Sequence, residues 1–354
     1  MTRVVSIFLV IGVLFSLCLV SCKENNPLEN VSSEISFFEE SSTISKTETD
    51  GSFTLNFDPY VLPSDVKKAL KTTEHYKAVV NAVLEGKDSV SVPTRDDYDN
   101  IRFALGENFP FAFLVSELKY DSSDNKVLLS YNFKDEHNAK IDEVMKAIEE
   151  IFKATVTKSD DNALAAVSIY SWLAQNIEVV KEKISKPQDT TSSGIAQTET
   201  SSNDETDKKA QKLDIYTALT EKKASAQSIS ALYSFLLMQL GVESKTASVW
   251  QDGEYYSWNL VCIDSKWYHC DIAKEQNETE GSGLKFFGMN KDRLGEYITS
   301  EISVGQWKWF ATDIPKAKNK RFDDFKSVVS FEISDERDSI QAFTEEYSRF
   351  VFDF

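Results

Sequence analysis

The chain has 354 residues and carries 57 acidic against 39 basic side chains, a formal net charge of −18. No basic patch stands out, so nucleic acid is not an expected partner, and an anionic lipid surface should repel the folded part. The sequence contains no C-x-x-C pair, H-E-x-x-H, glycine-rich phosphate loop or acidic calcium loop, so neither a metal nor a cofactor is expected.

Residues 1–22 open with M-T-R and run through an apolar stretch to Leu19-Val20-Ser21-Cys22. One Arg, an apolar run and a small-residue site form a secretory signal. Its last four residues resemble a bacterial lipobox, which implies that Cys22 is acylated and heads the mature chain. The apolar run is short for a spanning helix, which needs about 17–25 residues. The expected location is extracytoplasmic, with the lipid bilayer as a partner through acylated Cys22 and the protein anchored rather than spanning.

Residues 23–51 are rich in Ser, Thr, Glu and Asn and read as a flexible tether. Residues 52–135 read as a small α+β unit. Ser64 is placed to cap a helix carrying Val66, Leu70, Tyr76, Val79, Val80 and Val83, and Thr94 a second with Tyr98, Ile101 and Leu105. Leu114–Tyr120 and Val127–Phe133 then form a hairpin.

A larger domain is expected over 136–300. Ile141, Val144, Met145, Ile148 and Phe152 mark one helix, and Ala163, Val167, Tyr170, Leu173, Ala174 and Ile177 another. Residues 183–212 lack aromatics and have the composition of a disordered insertion. A third helix, from Ala226 to Leu240, buries Ile229, Leu232, Tyr233, Leu236 and Leu240 and stops before Gly241, a left-handed C′ residue. Trp258 to Ile263, the turn Asp264-Ser265 and Lys266 to Cys270 make a hairpin of aromatic and β-branched residues. That register puts Cys262 opposite Trp267 or Tyr268, so a Cys262–Cys270 disulfide would need distortion and two buried thiols are the favoured reading. In the C-terminal extension, 301–354, Trp307–Phe310 and Val328–Ile333 suggest strands, and Ile340, Phe343, Tyr347 and Phe350 a helix.

The helix from Ala226 and the run Y-Y-S-W-N-L-V-C-I-D-S-K-W-Y-H-C-D from Tyr255 to Asp271 together resemble the transglutaminase-like superfamily. Trp258-Asn259 match its H-x-W-N strand, and Trp267-Tyr268 with Asp271 its W-Y-x-x-D strand. The resemblance implies an α+β fold: a papain-like core, with a central helix packed on an antiparallel sheet, preceded by the small α+β N-terminal unit. It also implies a Cys-His-Asp triad, and places the Cys fifteen residues before Gly241 and the His fifteen before Asp271. Those positions hold Ala226 and Tyr256. Alanine has no nucleophile, and a phenol with a pKa near ~10 is a poor base at neutral pH. Without an imidazole, Asp271 is free to accept from the Tyr256 hydroxyl.

A substitute set is Ser225 or Ser228 with His269 and Asp271, against the plainer reading of Ser225 as a helix cap. The main expectation is a catalytically inactive domain that binds or scaffolds at the cell envelope. A remnant cleft lined by Tyr255, Tyr256, Trp258, Asn259 and Trp250 would take a peptide or cell-wall fragment. Alternatives are a cryptic hydrolase or acyl transferase using the serines, and a purely structural partner of another envelope protein.

Overall fold

The computed structural model describes residues 57–156, 162–180, 213–252, 254–278, 284–300, 303–304 and 315–323. The signal and tether, the 183–212 insertion, the strands expected at 307–310 and 328–333 and the final helix expected after them lie outside the described residues. Among the described residues no helix is long and apolar enough to cross a membrane.

The N-terminal unit opens with α1 (Ser64–Ala69) and α2 (Glu74–Leu84). The single helix expected from Ser64 is therefore two. Lys71 adopts a left-handed φ of 56°, which ends one helix and reorients the chain for the next. Strand β1 (Ser89–Ser91) precedes α3 (Arg95–Asn108), and the Thr94 side chain caps α3 by accepting from the Asp97 amide. The expected hairpin is β2 (Val115–Asp121) and β3 (Lys126–Tyr131), and β1 pairs with β3 in an antiparallel order β1-β3-β2.

Helices α4 (His137–Thr155) and α5 (Asn162–Asn176) follow. A short parallel pair, β4 (Glu178–Val179) with β5 (Lys223–Ala224), brackets α6 (Ile215–Thr220). Helix α7 (Ala226–Gln239) is buried along most of its length, with Ile229, Leu232, Tyr233, Phe235, Leu236 and Leu237 inaccessible. A helix of that kind belongs at the centre of a core rather than on its surface. At its end Gly241, at φ 76°, donates to Met238 O and Val242 donates to Leu237 O, a Schellman motif.

Strands β6 (Ser244–Gln251), β7 (Glu254–Ile263), β8 (Lys266–Cys270) and β9 (Ser303–Val304) form one antiparallel sheet, in the order β8-β7-β6-β9. Asp264 and Ser265 both have positive φ, as a two-residue hairpin turn with a right-handed twist demands. Cys262 lies opposite Trp267. Both cysteines are free thiols, but only Cys270 is buried; Cys262 is half-exposed.

Two apolar layers sandwich this sheet. Val261, Ile263, Tyr268 and Cys270 face α7, while Ala247, Val249, Trp258 and Leu260 pack on the reverse side with Phe286, Met289, Leu294 and Ile298. The reverse layer is closed by Phe286 and Met289 of the 284–290 segment and by α9 (Lys291–Leu294), while α8 (Ile272–Asn277) packs on the main core against α5 and α7. Gly288 lets Phe322 pack closely on the main core beside Tyr268 and Phe287. It sits at φ 62°, and a Cβ there would lie 2.5 Å from the buried Phe322 ring.

The N-terminal unit shares the main core. Phe57 stacks against Phe235 of α7 at 5.6 Å, and Gln239 exchanges two hydrogen bonds with the Asp58 backbone. Asp65 of α1 forms a buried ion pair with Lys245 of β6 at 3.0 Å.

Candidate active-site region

The start of α7 is a capping box. Ser225 Oγ accepts from the Ser228 amide at 3.1 Å, and Ser228 Oγ accepts from the Ser225 amide at 2.8 Å. Both serines are buried, and their hydroxyls lie 3.1 Å apart. Their polar atoms are thus engaged in capping the start of the helix. Ala226 follows as the first helical residue, partly exposed and with only a methyl group to offer.

Asp271 sits where β8 gives way to α8, and it caps that helix by accepting from the Lys274 amide at 2.9 Å. The Tyr256 hydroxyl lies 2.8 Å from both carboxylate oxygens, and the Tyr297 hydroxyl donates to Oδ2 at 3.0 Å. Three donors therefore converge on a fully buried carboxylate. Burial pushes Asp271 up to about 6, and the donated hydrogen bonds pull against it. Burial and the neighbouring Asp271 charge push both tyrosines well above the ordinary phenol value. Neither phenol is a base at neutral pH. Each is a fixed donor.

One turn further along α8, Glu275 is also buried. It accepts from the Phe286 amide at 2.7 Å and the Tyr170 hydroxyl at 2.9 Å. Tyr170 also donates to Asp271 O at 3.0 Å. Burial pushes Glu275 up to about 7, with the Asp271 charge adding to the rise. This second acid, and the Tyr297 donor, were not among the residues singled out from sequence. Neither lies in the helix or the strand run that carries the resemblance.

His269 does not join the serines. Trp258 Nε1 donates to His269 Nδ1 at 3.0 Å, and burial pushes the imidazole down to about 4. The nitrogen facing Trp258 is committed as an acceptor, so it takes no proton from a nucleophile. No hydrogen bond joins Ser225 or Ser228 to His269 among the described residues. The Ser–His269–Asp271 set is corrected on these grounds. His269 and Asp271 do lie near one another in sequence, but Asp271 belongs to the α8 cap.

The expected cleft also needs correction. Adjacent strand residues point to opposite faces. Tyr256 and Trp258 face the reverse layer, opposite Val249 and Ala247. Tyr255 and Trp250 pair with each other on the α7 face, as does Asn259, whose Nδ2 donates to Ser230 O at 2.8 Å. Trp258 is wholly buried. These five residues line no single surface: Trp258 and Asn259 hold the layers of the sheet together.

Residues 149–272 match the model of the transglutaminase-like superfamily, and that span holds Ala226, Tyr256 and Asp271. No curated protein matches. A solved structure from Cytophaga hutchinsonii, provisionally called a cysteine protease, is similar over 58% of this chain and 78% of its own, at 11% identity and a TM-score of 0.26. The described core is α+β, a buried helix packed on an antiparallel sheet, and over 149–272 it is similar to the transglutaminase-like superfamily.

Proposed function

We propose that this transglutaminase-like domain is non-catalytic and serves in binding or scaffolding at the cell envelope, held there by a lipid on Cys22. One observation carries the reading: the carboxylate that would orient a catalytic imidazole is satisfied by Tyr256, Tyr297 and the Lys274 amide. A triad acid holds a histidine in place and stabilises its positive form. Here the donors are phenols that do not shuttle protons at neutral pH, and Ala226 begins α7 where the family nucleophile would stand. The acidic surface suits solubility outside the cell, and the partner is a peptide, a cell-wall fragment or another envelope protein.

The test is chemical labelling of the full chain in its native membrane. Thiol-directed and serine-directed active-site probes should leave the folded domain unlabelled, whereas an alkynyl fatty acid should be incorporated at Cys22. Stoichiometric probe labelling that vanishes in Ser225→Ala or Ser228→Ala would overturn the non-catalytic reading. Absence of lipid on Cys22 would overturn the anchored one.

A further inference from the structure

The reverse face of the sheet holds a cavity of about 220 Å³. Leu294, Ile298 and Ala317 form its apolar wall, and Lys291 and Lys316 stand at its rim. His269 also lines it, although only 2% of that residue is exposed. No acidic side chain lines it among the described residues. The Asp292 carboxylate comes within 4.0 Å of Lys291 Nζ, at an exposed position.

The tautomer of His269 follows from its partner. An indole nitrogen only donates, so the 3.0 Å contact from Trp258 makes Nδ1 the acceptor. The neutral ring then carries its proton on Nε2. Among the described residues no protein group bonds that nitrogen. That nitrogen is not one of the fully buried unpartnered atoms, so it is an open donor on a residue that lines the cavity beside apolar side chains.

We infer that this cavity is a binding site for a small apolar carboxylate, with His269 Nε2–H and the two lysines taking the carboxylate and Leu294, Ile298 and Ala317 taking the hydrocarbon. The size fits: an apolar cavity of about 150 Å³ admits a benzene ring, and the extra volume here leaves space for a carboxylate. The charge fits as well, because two cations flank one neutral donor. No arginine fork lines the cavity among the described residues, so it lacks the bidentate device that favours phosphate. The site lies on the face of the sheet away from α7, and it stands whether or not the domain has catalytic activity.

Benzoate and its neutral isostere benzamide are suitable probes. Titration of the full chain, followed by the His269 Nε2–H resonance, should give a saturable shift with benzoate and about tenfold weaker binding of benzamide. The exposed double variant Lys291→Gln/Lys316→Gln should weaken benzoate about fivefold and leave benzamide unchanged. Ala317→Phe should fill the cavity and abolish both shifts while the Trp258 indole N–H signal persists. No saturable His269 shift with benzoate, or equal affinity for benzoate and benzamide in the parent chain, would overturn the inference.

Discussion

Two polar clusters occupy the positions where chemistry would be expected, and they are built on opposite principles. The Ser225–Ser228 cluster is local, neutral and complete in itself: partners three residues apart satisfy each other and the helix start. The Asp271 cluster is assembled from distant chain. Its donors come from β7, from α8 and from Tyr297 beyond α9, around a carboxylate with no accessible surface. The first contributes an ordinary cap. The second contributes a buried charge whose stability depends on every donor remaining in place. Serine chemistry is thus absorbed by secondary structure, while the acid is preserved by tertiary structure.

The pH response should separate the two clusters most strongly. Asp271 moves from an ordinary value near ~3.9 up to about 6, and Glu275 up to about 7. Both acids bind protons more tightly in the folded state. Their contribution is therefore full below about pH 4 and is lost as pH rises through 6 to 7. At about 1.4 kcal/mol per pH unit, Asp271 alone accounts for roughly 3 kcal/mol. His269 opposes this. Pushed down to about 4, it contributes fully above about pH 6.5, and that contribution is lost as pH falls towards 4. Denaturant midpoints measured from pH 4 to 8 should fall less in Asp271→Asn, which keeps only the Glu275 share, and should keep the full fall in Ser225→Ala.

Asp271→Ala should cost about 3 kcal/mol at pH 5, because two phenols and the Lys274 amide lose their acceptor. Tyr297→Phe and Tyr256→Phe should each cost roughly 2 kcal/mol, the range for a hydrogen bond to a charged group. Each should also raise Asp271 further, as read by carboxyl carbon resonances across a pH titration. A double-mutant cycle should show coupling between the tyrosines, since both hold one carboxylate. Ser225→Ala should cost about 1 kcal/mol, a normal cap loss. If it instead costs as much as Asp271→Ala, the serine cluster is not a mere cap, and the comparison fails.

What was legible in the sequence divides along the same line. The bounds of α7 follow from Ser225 and Gly241, and the β7–β8 register from Asp264-Ser265, because caps and tight turns are decided within a few residues. The Tyr256–Asp271 contact was accessible through a spacing carried by family resemblance. Tyr297, Glu275 and the Trp258–His269 bond were not, since nothing local marks a partner that only the folded sheet brings near. The same cause misled the cleft: Tyr255 and Tyr256 are neighbours in sequence, but a strand sends them to opposite faces. The break at Lys71 was also hidden, because the apolar spacing continues across it.

The most direct test is the double substitution Ala226→Cys with Tyr256→His. The account holds that the scaffold is kept and only the nucleophile and base are missing. It therefore predicts that the introduced thiol alkylates at pH 6 much faster than the same thiol in Ala226→Cys alone, because the restored imidazole lowers its pKa. Equal alkylation rates in the double and single variants, with both folded, would contradict it.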